Sequence, residues 1–178
     1  GNIKTLNNYD NYLNIDEQLF NTEYIPMLNK ISKVELMGIY LRKGEFKNLF
    51  DLVGIINQSD PKQIYLKDAE KIYIQRYKET KEIKNLYSIL ISQVLQKKVI
   101  DAEKTLNIIL ESDKDNGNSL LTKSIINVYL LDIKDARLSL NKAKSIKKSP
   151  ESDEILKIVE GLTYLLEMKF INAYRTFI

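Results

Sequence analysis

The side chains that most often carry chemistry are scarce in this chain. Histidine and cysteine are absent from all 178 residues, which removes the imidazole base, the thiolate nucleophile and the softer metal ligands. General acid–base work would fall to tyrosine or to carboxylates such as Asp101, Asp135, Glu160 and Glu167. Nothing in their spacing pairs two of them around a pocket, and acidic residues on helices are ordinarily solvated or salt-bridged. There is no Gly-rich phosphate loop and no metal-ligand cluster. The expectation is a protein that is not an enzyme, with no cofactor, no metal and no small-molecule substrate.

Basic residues give the next candidate chemistry. Lys142, Lys144, Lys147 and Lys148 gather near one helix end, and Lys97-Lys98 near another. The net charge is only +3, and Arg is limited to Arg42, Arg76, Arg137 and Arg175. Phosphate forks and base edges favour Arg, and cations near a helix C-terminus complement its dipole without any ligand. No nucleic-acid partner is expected.

The elements that would hold such residues are helical. A chain that is 44% hydrophobic and 29% charged can bury a core and stay in solution, while six Gly and three Pro are too few for the frequent turns of a sandwich or barrel. Residues 1–15, with five Asn, read as a loose N-terminal arm, and 16–178 as a single helical domain. Ser32 and Glu35 have the spacing of a capping box, predicting a helix that starts there and stops at Gly44. A second helix follows from Phe46 to Ile56, closed by Ser59-Asp60-Pro61. From Gln63 to Gln96 there is neither Gly nor Pro; the polar run Glu79 to Glu82 predicts a break, leaving an extra helix at 64–80. Helices are expected over Val99–Leu110, Leu120–Leu131, Lys134–Ile146, Ile155–Met168 and Phe170–Ile178. The intervening Asn116-Gly117 reads as a turn, and Ser149-Pro150 as a start signal.

A spacing recurs within this series. Asp101-Ala102 and Asp135-Ala136 are 34 residues apart, with Leu106 over Leu140. In the same frame residues 30–63 carry Tyr40, Gly44, Phe46, Leu49, Val53, Ile56 and Pro61, and the last unit carries Gly161, Tyr164, Phe170, Ala173 and Phe177. These landmarks resemble the tetratricopeptide repeat (TPR) family of 34-residue helical hairpins. The resemblance implies an all-α fold, an α-solenoid of antiparallel helix–turn–helix repeats at about 30–63, 83–116, 117–150 and 154–178. Leu49 and Ala102 are 53 residues apart, which leaves room for the extra helix between the first two units. Ser124, Asn127 and Gln93 depart from the family's preference for Gly and Tyr at their slots.

The family's first helices line a concave ligand surface. Carried over residue by residue, that surface holds Tyr87, Ile91 and Leu95, then Leu121, Ile125, Val128 and Tyr129, then Ile158, Leu162 and Leu165. No Lys waits there for a C-terminal carboxylate. The resemblance therefore implies a protein–protein interaction scaffold whose apolar groove takes a helix or hydrophobic peptide of another protein. The alternative is a structural or self-associating domain whose groove is filled by its own extra helix, by the N-terminal arm or by a second copy in a homodimer. The opening Gly1-Asn2 lacks an initiator Met, which tips the expected location toward an exported or membrane-anchored bacterial protein over a cytoplasmic one.

Overall fold

The computed structural model describes residues 30–59, 64–146 and 149–178, so the N-terminal arm, the segment up to Asn29, residues 60–63 with the expected stop at Asp60-Pro61, and Lys147-Lys148 lie outside the described residues. The described residues are all-α. They form α1 (Lys30–Lys43), α2 (Phe46–Ser59), α3 (Ile64–Thr80), α4 (Ile83–Leu95), α5 (Val99–Ser112), α6 (Gly117–Tyr129), α7 (Ile133–Lys144), α8 (Pro150–Leu166) and α9 (Phe170–Phe177).

One turn recurs four times. Gly44, Lys97, Leu131 and Met168 adopt left-handed backbone angles, with φ of 75°, 61°, 61° and 58°. Each following residue sends its N–H back five places: Glu45 to the Tyr40 carbonyl, Lys98 to Gln93, Asp132 to Asn127 and Lys169 to Tyr164, at 2.8–2.9 Å. This is the Schellman geometry that satisfies the orphan carbonyls at a helix end. The next helix begins two residues after each left-handed residue. Leu49, Ala102, Ala136 and Ala173, each five residues after it, are all buried. Three alanines thus stand at equivalent places in α5, α7 and α9, where a small side chain lets paired helices approach closely.

The α3–α4 connection is of another kind. Lys81 is also left-handed, but its N–H bonds Tyr77 four places back, and Thr80 Oγ1 accepts from the Glu82 N–H and from Asn85 Nδ2. The break predicted from the polar run is therefore present, bridged by the Thr80 hydroxyl. Ser149 caps α8, accepting from the Ser152 N–H, with Pro150 in the first turn where its missing N–H loses nothing.

One predicted signal is corrected. Ser32 and Glu35 do not start a helix, because α1 already runs from Lys30. Glu35 is instead committed to α3, accepting from the Tyr73 hydroxyl at 3.2 Å and facing Arg76 at 3.7 Å. The turn expected around Asn116-Gly117 is present, at 113–116 between α5 and α6. Asn116 is the N-cap of α6, its Oδ1 accepting from the Ser119 N–H, and Gly117 opens the helix.

The core is continuous, running from Val34, Leu36 and Met37 in α1 through Leu86 and Leu90 in α4 to Leu156 and Val159 in α8. Consecutive helices from α3 to α9 contact one another, and α8 also rests on α6. α1 contacts α3, α4 and α6. It comes close to α4 at Gly38, where a Cβ would meet the Ser88 nitrogen at 3.0 Å and the Tyr87 carbonyl carbon at 3.1 Å.

Candidate interaction surface

The sequence-predicted surface residues fall into three groups. Tyr87, Ile91 and Leu121 are buried in the core. Leu95 and Val128 are half-buried against it. Ile125, Tyr129, Ile158, Leu162 and Leu165 are exposed.

The first group is corrected by packing that only the folded chain reveals. Tyr87 and Ser88 lie directly under Gly38 of α1, and Ile91 is one turn further along the same face. Burial pushes the Tyr87 phenol above its ordinary pKa, partly offset by a 2.7 Å hydrogen bond with Ser119 Oγ of α6. α1 covers α4 at Tyr87 and Ser88, and the extra helix α3 packs on α4 as well. Leu121 is sealed in the layer where α1 and α8 meet α6.

A polar clasp fixes how far this cover reaches. At the end of α1, the Arg42 carbonyl accepts from Asn118 Nδ2 at 3.0 Å and the Gly44 carbonyl accepts from Ser149 Oγ at 2.7 Å. Ser152 Oγ bonds Asn118 Oδ1 and Ser149 Oγ at 2.7 and 2.8 Å, and Glu151 accepts from the Lys47 N–H at the start of α2 at 2.9 Å. A Cβ on Gly44 would lie within 2.7 Å of all three side-chain oxygens, so this position needs glycine for space as well as for φ. The α1–α2 turn is thus pinned to the N-terminal ends of α6 and α8. The exposed apolar residues sit toward the other ends of those helices.

Those exposed residues occupy two flanks. Ile125 and Tyr129 are one turn apart on α6, as are Leu162 and Leu166 on α8, and Leu166 is also exposed. The spacing of Leu131 and Met168 sets the two pairs in register, so they form one stripe across adjacent helices. Ile158 and Leu165 stand one turn either side of Gly161, whose Cα is covered by the ring of Phe177 from α9. They therefore border α9 and not the stripe alone.

The candidate chemical residues are engaged locally. Glu160 pairs with Lys144, and Asp101 with Lys104 at 3.5 Å. At the start of α7 the Asp135 backbone N–H donates to Asp132 Oδ1 at 3.1 Å. Glu167 is gripped by both Nε and Nη2 of Arg137 and by Lys169 at 2.8 Å. The hydrogen bond from Arg137, then that from Lys169, holds its carboxyl at about 2. The Arg137 guanidinium also stacks 4.5 Å from the Tyr164 ring centroid.

Of the candidate basic residues, Lys142 bonds the Lys114 carbonyl at 3.1 Å and faces Asp115 at 3.7 Å. Lys98 reaches Glu70 at 2.5 Å. Burial works to raise the Glu70 carboxyl, but the bonds from Lys98, Gln96 and Gln93 outweigh it and hold the group low. Among the described residues no three acidic side chains gather as a metal site, and no helix is long and apolar enough to cross a membrane.

Comparison with family models, with curated protein sequences and with solved structures returned no match.

Proposed function

We propose that this chain is a TPR-like α-solenoid and a non-catalytic interaction module, which holds an apolar helical segment of another protein along α6 and α8. The observation that carries the reading is the stripe of Ile125, Tyr129, Leu162 and Leu166, exposed on two adjacent helices whose opposite faces are solidly packed. Four equivalent Schellman turns, with buried alanines in step after three of them, support the solenoid. An amphipathic helix with apolar residues at i, i+3 or i+4 and i+7 is the partner chemistry such a stripe suits. Burying it would gain roughly 25 cal/mol per Å² of apolar surface.

A second reading, self-occupation, is favoured by one observation at α4. There α1 lies over Tyr87 and Ser88, so the surface is closed by the chain itself. The proposed partner site is accordingly confined to α6 and α8.

The test is selection from a displayed library of amphipathic helices against the intact protein, counter-screened on Ile125→Asp combined with Leu162→Asp. Both side chains are exposed, so the fold should survive, as far-UV circular dichroism would verify. Enriched helices that bind the parent and not the variant support the proposal. Enrichment indifferent to the two substitutions would overturn it.

A further inference from the structure

Three of the lysines meet in a cleft that is separate from the α6–α8 stripe. Between α5, α6 and α7 lies a cavity of about 220 Å³, small beside the pockets that hold drug-sized ligands. Leu110, Leu120 and Leu138 give it apolar walls, and Lys114, Lys123 and Lys142 bring three ammonium groups to it; among the described residues no carboxylate lines it. Leu120 is buried and Leu110 half-buried, while Lys114, Leu138 and Lys142 are exposed, so the cleft opens to solvent on their side.

Helix dipoles account for two of these cations but not for the third. Lys114 follows the end of α5, and Lys142 lies in the last turn of α7 and faces Asp115 at 3.7 Å, a carboxylate 84% exposed to screening water. Lys123 stands in the middle of α6, half-buried, and among the described residues its ammonium meets a neutral group alone, Asn107 Oδ1 at 2.8 Å. Ser139 also lines the cleft. It is 6% exposed, and its hydroxyl has no hydrogen-bond partner among the described residues, whereas Thr105, at the equivalent place in α5, donates to Gln93 at 2.8 Å. Buried hydroxyls are ordinarily bonded.

The next interval in the helix series neutralises itself. Counted from the left-handed residues Lys97, Leu131 and Met168, Lys144 of α7 takes the place that Leu110 holds in α5, and Glu160 of α8 the place that Lys123 holds in α6. Lys144 and Glu160 pair with each other. The α5–α7 cleft has no such internal counterion for Lys123, and an apolar wall lies beside it. We propose that this cleft binds a small organic anion, an acid group on a short aliphatic or aromatic stem. The acid group accepts from Lys123 and from the Ser139 hydroxyl, Lys114 and Lys142 flank it, and the stem covers Leu110, Leu120 and Leu138. A carboxylate and a phosphate monoester can both take these donors.

Titration calorimetry of the intact chain with octanoate, octyl phosphate, octanamide and acetate tests this. The expected result is one saturable site per chain for octanoate or octyl phosphate, the tighter of the two identifying the headgroup. Octanamide, which lacks the charge, and acetate, which lacks the stem, should each bind more weakly by about tenfold or more. Lys114→Gln combined with Lys123→Gln breaks no ion pair among the described residues; it should weaken the acid by about tenfold, and so should Ser139→Ala. Circular dichroism checks that each variant stays folded. Lys157→Gln, at an exposed lysine of α8, and the Ile125→Asp, Leu162→Asp pair should bind the acid as the parent does, which separates this site from the stripe. No saturable binding of either acid, equal binding of octanamide or of acetate, or parental affinity in either the lysine pair or Ser139→Ala would overturn the proposal.

Discussion

Asn127 of α6 is almost wholly inaccessible, and neither its Oδ1 nor its Nδ2 meets a hydrogen-bond partner. Thirty-four residues earlier, at the equivalent place in α4, stands Gln93, also buried, which donates to Glu70 at 3.2 Å and accepts from Thr105 at 2.8 Å. The residue corresponding to Thr105 is Ser139, and Asn127 is one methylene shorter than Gln93, so the equivalent bond is not made. A buried group left unsatisfied costs about 1–3 kcal/mol, and Leu has the same branched side-chain shape with better helix propensity. Asn127→Leu should therefore stabilise the fold by about 2 kcal/mol, raising the thermal midpoint by roughly 4–8 °C for a chain of this size. The backbone carbonyl of Asn127, which accepts from Asp132 in the turn, is untouched. Gln93→Leu should do the opposite, destabilising by about 1–2 kcal/mol because Thr105 loses its acceptor and Glu70 one of its donors. Urea unfolding followed by far-UV circular dichroism reads both through the midpoint at constant slope. A lowered midpoint for Asn127→Leu, or equal shifts for the two variants, would refute the argument that the unpaired amide is what sets Asn127 apart.

Other substitutions probe the turns and close contacts. Leu131 and Met168 are left-handed yet 69% and 78% exposed, so glycine there removes strain while losing little packing; each should stabilise by about 0.5–1 kcal/mol in the same unfolding assay. Gly38→Ala should destabilise by about 1–3 kcal/mol, because its new Cβ meets helix backbone at Tyr87 and Ser88, which cannot swing aside. Glu167 lies below its ordinary value of 4.5, at about 2. A depressed carboxyl contributes stability that is present above the unfolded value and lost as pH falls through the folded one. Acid unfolding should consequently steepen between about pH 4.5 and pH 2, and Arg137→Gln should flatten that part of the curve in a pH titration of the thermal midpoint.

Helix type was legible because local signals agreed: low Gly and Pro content, the polar break before α4, and Ser149-Pro150 at the start of α8. The turns were only partly legible. Gly44 announces a left-handed residue, but Lys97, Leu131 and Met168 adopt the same angles without glycine, held by the 6→1 bond and by packing on either side. The capping-box spacing at Ser32 and Glu35 misled because tertiary partners, Tyr73 and Arg76, outweigh the local motif. The surface was the least legible part. Tyr87, Leu121 and Ile158 are apolar residues at corresponding places, and nothing in residue type distinguishes the first two, which neighbouring helices cover, from the third, which none does. The clasp joining Arg42 to Asn118 and Gly44 to Ser149 spans 76 and 105 residues, far beyond any local pattern.

That clasp also explains why the open stripe is where it is. Without it, α1 and α2 would meet α6 and α8 mainly through non-directional apolar contact, which does not specify how far along those helices they slide. Asn118, Ser149 and Ser152 each bond a defined carbonyl or hydroxyl at the helix starts, and Glu151 bonds the first free amide region of α2 at Lys47. Directional bonds of this kind fix register where burial alone cannot. With the turn anchored at one end of α6, Leu121 falls under cover while Ile125 and Tyr129, one and two turns onward, do not. The exposed apolar residues Ile125, Tyr129, Leu162 and Leu166 are thereby left beyond the clasp, on the distal half of α6 and α8, by four polar side chains at the helix starts.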